Sequence, residues 1–560
     1  MTPTRGNYRI GLWGNPVPLH FVNLDALIIR QDMDAGESKP SVVTKDISHT
    51  ELEVGKNTYT VLRKPDFQRE TSMWTPEKVR DLIVAYAEED LVPAIVLWRS
   101  PKNDLFVIDG AHRLSSLIAW VNDDYGSGLS SQKFFGEITP AQKAAAEITK
   151  KLVEEAVGPW RVIADAFKNP NTPETYVQRA KRLVNCFIRV QALETTDVKR
   201  AERSFFKINE QGVPLTDAEK RALHSRYCPN AIAARAINQR GTGHQHWHRF
   251  DLPMRDEIKK LSHEIYDLLF SPTLPGPTIK TSDVPIAGRY SSSTSLGLLV
   301  NAINLTNNVP EIVPSSTEEA EQLVPKDETG ERTVVFLKRI KRIAVRIVNR
   351  STTDVMASLD LHPFVYFYAD NSRHRPSTFL AVIELMADYE DKDKFAEFTL
   401  IRNEFEEFLV SHSDFLQQVS RRARGEMKAV HKIKSFLDFV AEQFTAGGDQ
   451  LSVLKAIQAS PDFEFIKVSV DDSFDIGQDF SPTVKSKAFI AEKLNTATRC
   501  KICSARVPDH GLSFDHKQDK KLEGMGDQQN LQFTHHYCNS AKDKLMPLFA
   551  KTSLKSTTVA

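Results

Sequence analysis

Cysteine is scarce in this chain, with five residues in 560. That is too few for a disulfide-stapled scaffold. Long apolar runs are also missing: no stretch reaches the roughly 18 residues of a transmembrane helix, so no membrane partner is expected. The opening residues Met1-Thr2-Pro3-Thr4-Arg5-Gly6 lack a basic-then-apolar signal pattern. The expected location is therefore the cytoplasm. Net charge is absent as well, 73 Lys and Arg being balanced by 73 Asp and Glu. Taken whole, such a chain lacks the basic field that draws nucleic acid. No internal repeat is visible. What is present is an ordinary globular mix, 41% hydrophobic and 26% charged, which excludes a disordered or fibrous protein. The length suggests about three or four domains.

The neutrality is uneven. Residues 481–560 hold 13 basic and 7 acidic residues, leaving 60 and 66 for the first 480. A local excess of positive charge suits phosphate contact. Three of the five cysteines fall in the same tail, at Cys500, Cys503 and Cys538. Cys186 lies in the apolar run Leu183–Ile188 and reads as a helical core residue.

Residues up to about 135 mix strands and helices. Ala94–Trp98 and Leu105–Ile108 read as a hairpin across the turn Ser100–Asp104. Thr75-Pro76 starts a helix running to about Glu88, with Thr at the N-cap and Pro at N1. Thr216–Glu219 is a capping box. Beyond about 230 the periodicity is mostly helical. Val309–Arg332 reads as a surface loop, and Phe336–Arg346 as a basic amphipathic helix with a solvated face. The run Gly243–His248 carries three histidines but no partnered carboxylate or cysteine pair, and reads as a loop.

The tail has a metal-ligand pattern. Cys500-Lys501-Ile502-Cys503 offers two thiolates, and His535 with Cys538 repeats the two-residue spacing. Together they make a tetrahedral Cys3His site for structural zinc. His536 is the alternative fourth ligand. Between the half-sites lie Phe514-Asp515-His516, Gly524-Met525-Gly526 and Asn530-Leu531, followed by Asn539 and Lys542.

This order of elements resembles the HNH, or ββα-metal, endonucleases, with His535 replacing the usual cysteine of the second pair. Hydrolysing a phosphodiester needs an activated water and charge neutralisation at the phosphate and the leaving oxygen. A histidine, largely neutral near pH 7, can accept the water proton. The resemblance makes His516 the general base and Asn530 the residue holding the loop that orients it. Asp515 and Asn539 offer hard oxygens suited to a catalytic Mg²⁺ or Mn²⁺. Lys542 is a candidate phosphate contact.

Three further segments stand in order: Asp66-Phe67-Gln68-Arg69-Glu70 ahead of Trp74, Ile108-Asp109-Gly110-Ala111-His112-Arg113-Leu114 ahead of a helix Ser115–Val121, and Phe206–Leu215 containing Asn209, Gly212 and Pro214. Gly110 permits a tight strand-to-helix turn. The helix amides after it attract anions. His112 and Arg113 are donors suited to phosphate. Asp109 can hold a divalent ion or pair with Arg113, and Gln68 and Arg69 can complete the pocket. The triple resembles the N-terminal domain of GmrSD-type modification-dependent restriction enzymes, related to ParB and sulfiredoxin. Ala111 stands where that family carries Gln. The resemblance implies binding of a nucleoside triphosphate (GTP, ATP, CTP or UTP), with NTPase activity as an extension.

The expectation is thus a multidomain α+β chain. Residues 1–225 form a ParB/sulfiredoxin-like α/β domain, 226–480 a mainly α-helical coupling domain, and 481–560 a zinc-stapled HNH domain. The implied function is a restriction or anti-phage DNA endonuclease licensed by its N-terminal domain. GmrSD enzymes act on glucosylated hydroxymethylcytosine DNA and the similar SspE-type effectors respond to phosphorothioate DNA; the sequence does not choose. Expected partners are double-stranded DNA, foreign or modified, and the triphosphate, with homo-oligomerisation left open. The alternatives are a nucleotide-switched, ParB-like DNA-binding protein without cleavage, and a mobile-element nuclease.

Overall fold

The computed structural model describes residues 8–10, 16–18, 21–33, 46–68, 71–72, 74–211, 216–274, 278–350, 357–467 and 480–557. The chain divides into two compact units. The first holds residues 1–226, 241–249 and 313–320; the second holds 227–240, 250–312 and 321–560. The architecture is multidomain and mixed, mostly helical with one small mixed sheet. Among the described residues no helix is long and apolar enough to cross a membrane.

The first unit is built on a five-stranded sheet. Its strands are β1 (Ile29–Gln31), β2 (Leu62–Pro65), β3 (Ile95–Arg99), β4 (Leu105–Asp109) and β5 (Val190–Ala192). The spatial order is β1-β2-β4-β3-β5, with β3 and β4 antiparallel and the other neighbours parallel. The hairpin expected at residues 94–108 is therefore present. The run Leu105–Ile108 is buried throughout because both faces of the sheet are covered. On one face Leu105 and Val107 join a core with Leu114, Leu117 and Ile118. On the other, Phe106 and Ile108 pack with Phe67, Trp98, Phe205 and Leu223. Each fully buried aliphatic or aromatic side chain stabilises by about 1.5–3 kcal/mol. The register shifts between Val96 and Leu97 opposite the end of β4, bending the strand pair beside Asp109.

Helix α1 (Pro76–Ala87) has Thr75 at its N-cap, as the sequence predicts. Helix α2 (Ala111–Val121) begins four residues before the expected Ser115, because Gly110 turns the chain directly out of β4 with φ 93°. Helix α3 (Asp217–His224) carries both halves of the Thr216–Glu219 capping box. Cys186 is buried as expected, but it lies past the helix Glu174–Leu183 rather than within it.

The second unit is helical. Its principal helices are α4 (Leu252–Phe270), α5 (Glu331–Ile347), α6 (Pro376–Asp391), α7 (Phe395–Ser411), α8 (Glu426–Thr445) and α9 (Pro482–Thr496). The expected loop Val309–Arg332 contains a helix, Thr317–Leu323, and its last two residues open α5. The basic face of α5 does not simply point to solvent. Lys338 pairs with Glu257, Lys341 with Glu264, Arg339 with Asp391 and Arg346 with Glu390. Neighbouring α4 and α6 supply these carboxylates, while Leu337, Ile340 and Ile343 bury the opposite face.

Candidate functional site

The C-terminal segment of the second unit runs strand, loop, strand, helix. Strands β6 (Ser513–His516) and β7 (Leu531–Thr534) are antiparallel, pairing Asp515 with Gln532 and His516 with Leu531. Two helices follow, α10 (His536–Ser540) and α11 (Lys542–Thr557).

Cys500, Cys503, His535 and Cys538 converge, their ligand atoms all within 4.8 Å of one another, and all four are buried. His535 Nδ1 lies 3.4 Å from Cys503 Sγ and 3.7 Å from Cys538 Sγ. Its Nε2–H donates to the Arg506 carbonyl at 2.9 Å, which fixes Nδ1 as the atom facing the sulfurs. Hydrogen bonds with Cys503 and Cys538 hold the Cys500 thiol far below its ordinary range, while those with Cys500 and Cys503 push Cys538 up. Three sulfurs crowded this closely favour a shared cation, and this Cys3His group could hold zinc. His536, the alternative ligand, turns away to Asp360.

The segment is seated on the helical part of its own unit. Asp360, fully buried, accepts from His536 Nδ1 and from its backbone amide. Ser358 O accepts from the Tyr537 amide at 2.7 Å. Arg402 and Glu406, both wholly buried on α7, form a 2.7 Å ion pair, and Glu406 accepts from the Arg506 amide. The Arg506 guanidinium reaches Glu407 and the Leu494 carbonyl. The anchors Ser358, Asp360, Glu406 and Glu407 were not legible from the C-terminal motif, since each lies 99 or more residues before the group it holds, in a segment with no motif of its own.

His516 ends β6 and is half-buried. Asn530 spans the loop that follows it: its Nδ2 donates to Gln518 O and Met525 O, and its Oδ1 accepts from the Gln518 amide. Asn539 Nδ2 donates to Ser513 Oγ and Phe514 O, both on β6. Both amide hydrogens being engaged, Oδ1 is the atom left for a ligand. The Asp515 carboxylate accepts from Gln532 at 2.7 Å and pairs with Lys542 at 3.1 Å. Lys542 also donates to the His516 carbonyl and lies 3.6 Å from Asp519. A cation bound at Asp515 would share the carboxylate with this ammonium.

In the first unit the motif residues also gather. Gln68 Nε2 donates to Val107 O on β4, bringing it beside Asp109. Arg113 Nη2 donates to Asp109 at 2.6 Å and to Ala94 O at 3.1 Å, so the ion-pair reading of these two residues holds. His112 stacks on Trp74 with ring centroids 5.4 Å apart. Burial, aided by Lys64, pushes His112 down to about 4, so it meets an anion as a neutral imidazole rather than a cation. Gln68 Oε1 and Arg113 Nε are buried with no hydrogen-bond partner among the described residues. An acceptor and a donor so placed could be satisfied by a ligand. Arg69, Gly212 and Pro214, and the side chain of Asn209, lie outside the described residues.

Sequence reading missed the cluster that holds this loop. Asp25, buried, accepts from Arg30 at 2.8 Å and from Lys64 at 2.7 Å. Burial raises its carboxyl, but the two cations hold it well below the usual range. Arg30 reaches on to the carbonyls of Asp66 and Gln68. The sequence offered little signal: Arg30 closes the apolar run Ala26–Ile29, and Lys64 lies between Arg63 and Pro65. The run Gly243–His248 is a loop of turns and bends, as expected, but Asp66 lies against His244 and His246, so the carboxylate partner that the sequence reading found missing exists.

Compared with known protein families, residues 50–224 match the GmrSD restriction endonuclease, N-terminal domain. The match spans all three N-terminal motifs up to Phe206–Leu215 and excludes the Cys3His segment. Searches of curated proteins and of solved structures returned no match.

Proposed function

We propose, from the premise that residues 50–224 are a GmrSD-type N-terminal domain, that the chain is a DNA endonuclease of the modification-dependent restriction type. In this reading residues 1–225 form a ParB/sulfiredoxin-like sensor that binds a nucleoside triphosphate, recognises modified DNA, or both. Residues 226–480 couple it to an HNH nuclease at 481–560, whose Cys3His group holds structural zinc. The partner is foreign or modified double-stranded DNA.

The observation that carries the nuclease reading is the relation of three side chains. His516 ends β6, Asn530 ties the loop behind it, and Asn539 hydrogen-bonds back to β6 with its Oδ1 still available. His516 takes a proton from water through an unprotonated ring nitrogen. The water oxygen attacks phosphorus and the bond to the 3′ oxygen breaks. Mg²⁺ or Mn²⁺ bound by Asp515 and Asn539 would supply charge neutralisation at the phosphate and the leaving oxygen. Asn530 positions rather than reacts, through its three hydrogen bonds to residues 518–525. In the first unit, Gln68, Asp109, Gly110, His112 and Arg113 make the triphosphate pocket, with Gln68 Oε1 and Arg113 Nε as the atoms awaiting a partner.

One observation favours the second reading, a nucleotide-switched DNA-binding protein without cleavage. Lys542 already occupies Asp515, the expected metal ligand. Nicking of supercoiled plasmid with Mg²⁺ or Mn²⁺ separates the two. The nuclease reading requires cleavage by the wild type and its loss in His516→Ala. Binding without cleavage, unchanged by the substitution, would establish the other.

A further inference from the structure

The chain from Arg240 to Arg249 turns sharply, with Arg240, Gly241 and Gly243 all at positive φ. Trp247, within this turn, is fully buried. The turn brings His244 and His246 together at a ring separation of 4.5 Å. Both rings meet Asp66, which lies within the GmrSD-type segment, while the histidines lie beyond its end. His244 Nε2 contacts Asp66 Oδ1, and His246 Nδ1 lies 3.2 Å from Asp66 Oδ2. One ligand atom from each residue falls within 4.8 Å of the other two. Asp66 and His246 are buried, and His244 is nearly so.

We propose that Asp66, His244 and His246 form a second metal site, separate from the Cys3His group and independent of the nuclease reading. Two imidazoles and one carboxylate favour a borderline divalent transition ion, Zn²⁺ or Fe²⁺, over Mg²⁺ or Ca²⁺, which prefer all-oxygen sets. Three protein ligands leave a coordination position for an exogenous oxygen or anion. Asp66 begins the loop that carries Gln68, and Arg30 pins the carbonyls of both residues. Metal binding at Asp66 would therefore stiffen one wall of the triphosphate pocket.

The test is cobalt loading of the full chain after metal removal. Cobalt in the Cys3His group gives intense thiolate charge-transfer bands, whereas cobalt on nitrogen and oxygen gives only weak visible bands. The wild type should take two equivalents, the second without added thiolate absorption. His244→Gln/His246→Gln should take one, with the thiolate bands unchanged. Zn²⁺ should also raise the melting temperature of the metal-stripped Cys538→Ser chain, and should not raise it once the two histidines are also replaced. A wild type that binds a single equivalent, or a double variant that still binds two, overturns the site. A Cys538→Ser chain indifferent to Zn²⁺ would assign the cluster to plain ion pairing.

Discussion

The Asp360 carboxylate accepts two hydrogen bonds from His536, one from the backbone amide at 3.1 Å and one from ring Nδ1 at 2.8 Å. That pairing commits His536 to the helical part of the second unit and leaves its neighbour His535 to the cysteines. His535→Ala should therefore lose bound zinc, while His536→Ala should retain it. Elemental analysis of the purified chains reads the difference directly. Asp360→Ala removes the acceptor for both groups of His536 and for the Asn349 amide. Leaving such buried donors unpaired should lower the urea-unfolding free energy by about 2–4 kcal/mol.

His516 is half-buried. His516→Ala should reduce nicking by about 10²–10⁴-fold, the usual worth of a general base. Its melting temperature should stay close to that of the wild type. A large loss of stability together with activity would mean that the side chain is structural.

Gly110 supports the strand-to-helix turn for a steric reason. Its φ is 93°, and a Cβ there would lie 2.5 Å from Ile95 Cγ2. Gly110→Ala should destabilise the first unit by about 2–4 kcal/mol, combining left-handed strain with overpacking. Arg113→Ala leaves the turn intact and breaks only the pair with Asp109 and the bond to Ala94 O. Calorimetry should then show loss of triphosphate binding in a folded chain. Unchanged binding would remove Arg113 from the pocket.

Acid should weaken the first unit through buried histidines. Burial pushes His49 and His112 down to about 4, whereas each titrates near 6.5 when unfolded. The unfolded chain therefore binds these protons first. The stability they preserve is complete above pH 6.5, falls as the pH drops from 6.5 towards 4, and levels off below. The slope approaches about 1.4 kcal/mol per pH unit for each histidine. His49→Gln should flatten the urea midpoint against pH by one histidine's share; an unchanged slope would show that other groups set it.

The convergence of the Cys3His group was legible because it is written in local spacing, Cys500 to Cys503 and His535 to Cys538. Strands β3 and β4 were legible because an apolar run bounded by a turn has few other uses. The choice between His535 and His536 was not legible, since it rests on Asp360, 176 residues away. Asp66 and His244 are 178 residues apart and meet only through the fold. The early start of α2 was missed because Gly110 turns in a single residue what the expected loop took several to do. The cations of α5 looked solvated because the acidic residues that pair with them sit on other helices.

The central claim is that one chain joins a GmrSD-type sensor to a His516-dependent nuclease. It is tested most directly by cleavage of modified and unmodified DNA of the same sequence, with Mn²⁺ or Mg²⁺, with and without each triphosphate. DNA carrying phosphorothioate linkages or glucosylated hydroxymethylcytosine supplies the modified arm. The account predicts cleavage that differs between modified and unmodified substrate and disappears in His516→Ala. Cleavage equal on both substrates, or equal in His516→Ala and the wild type, would contradict it.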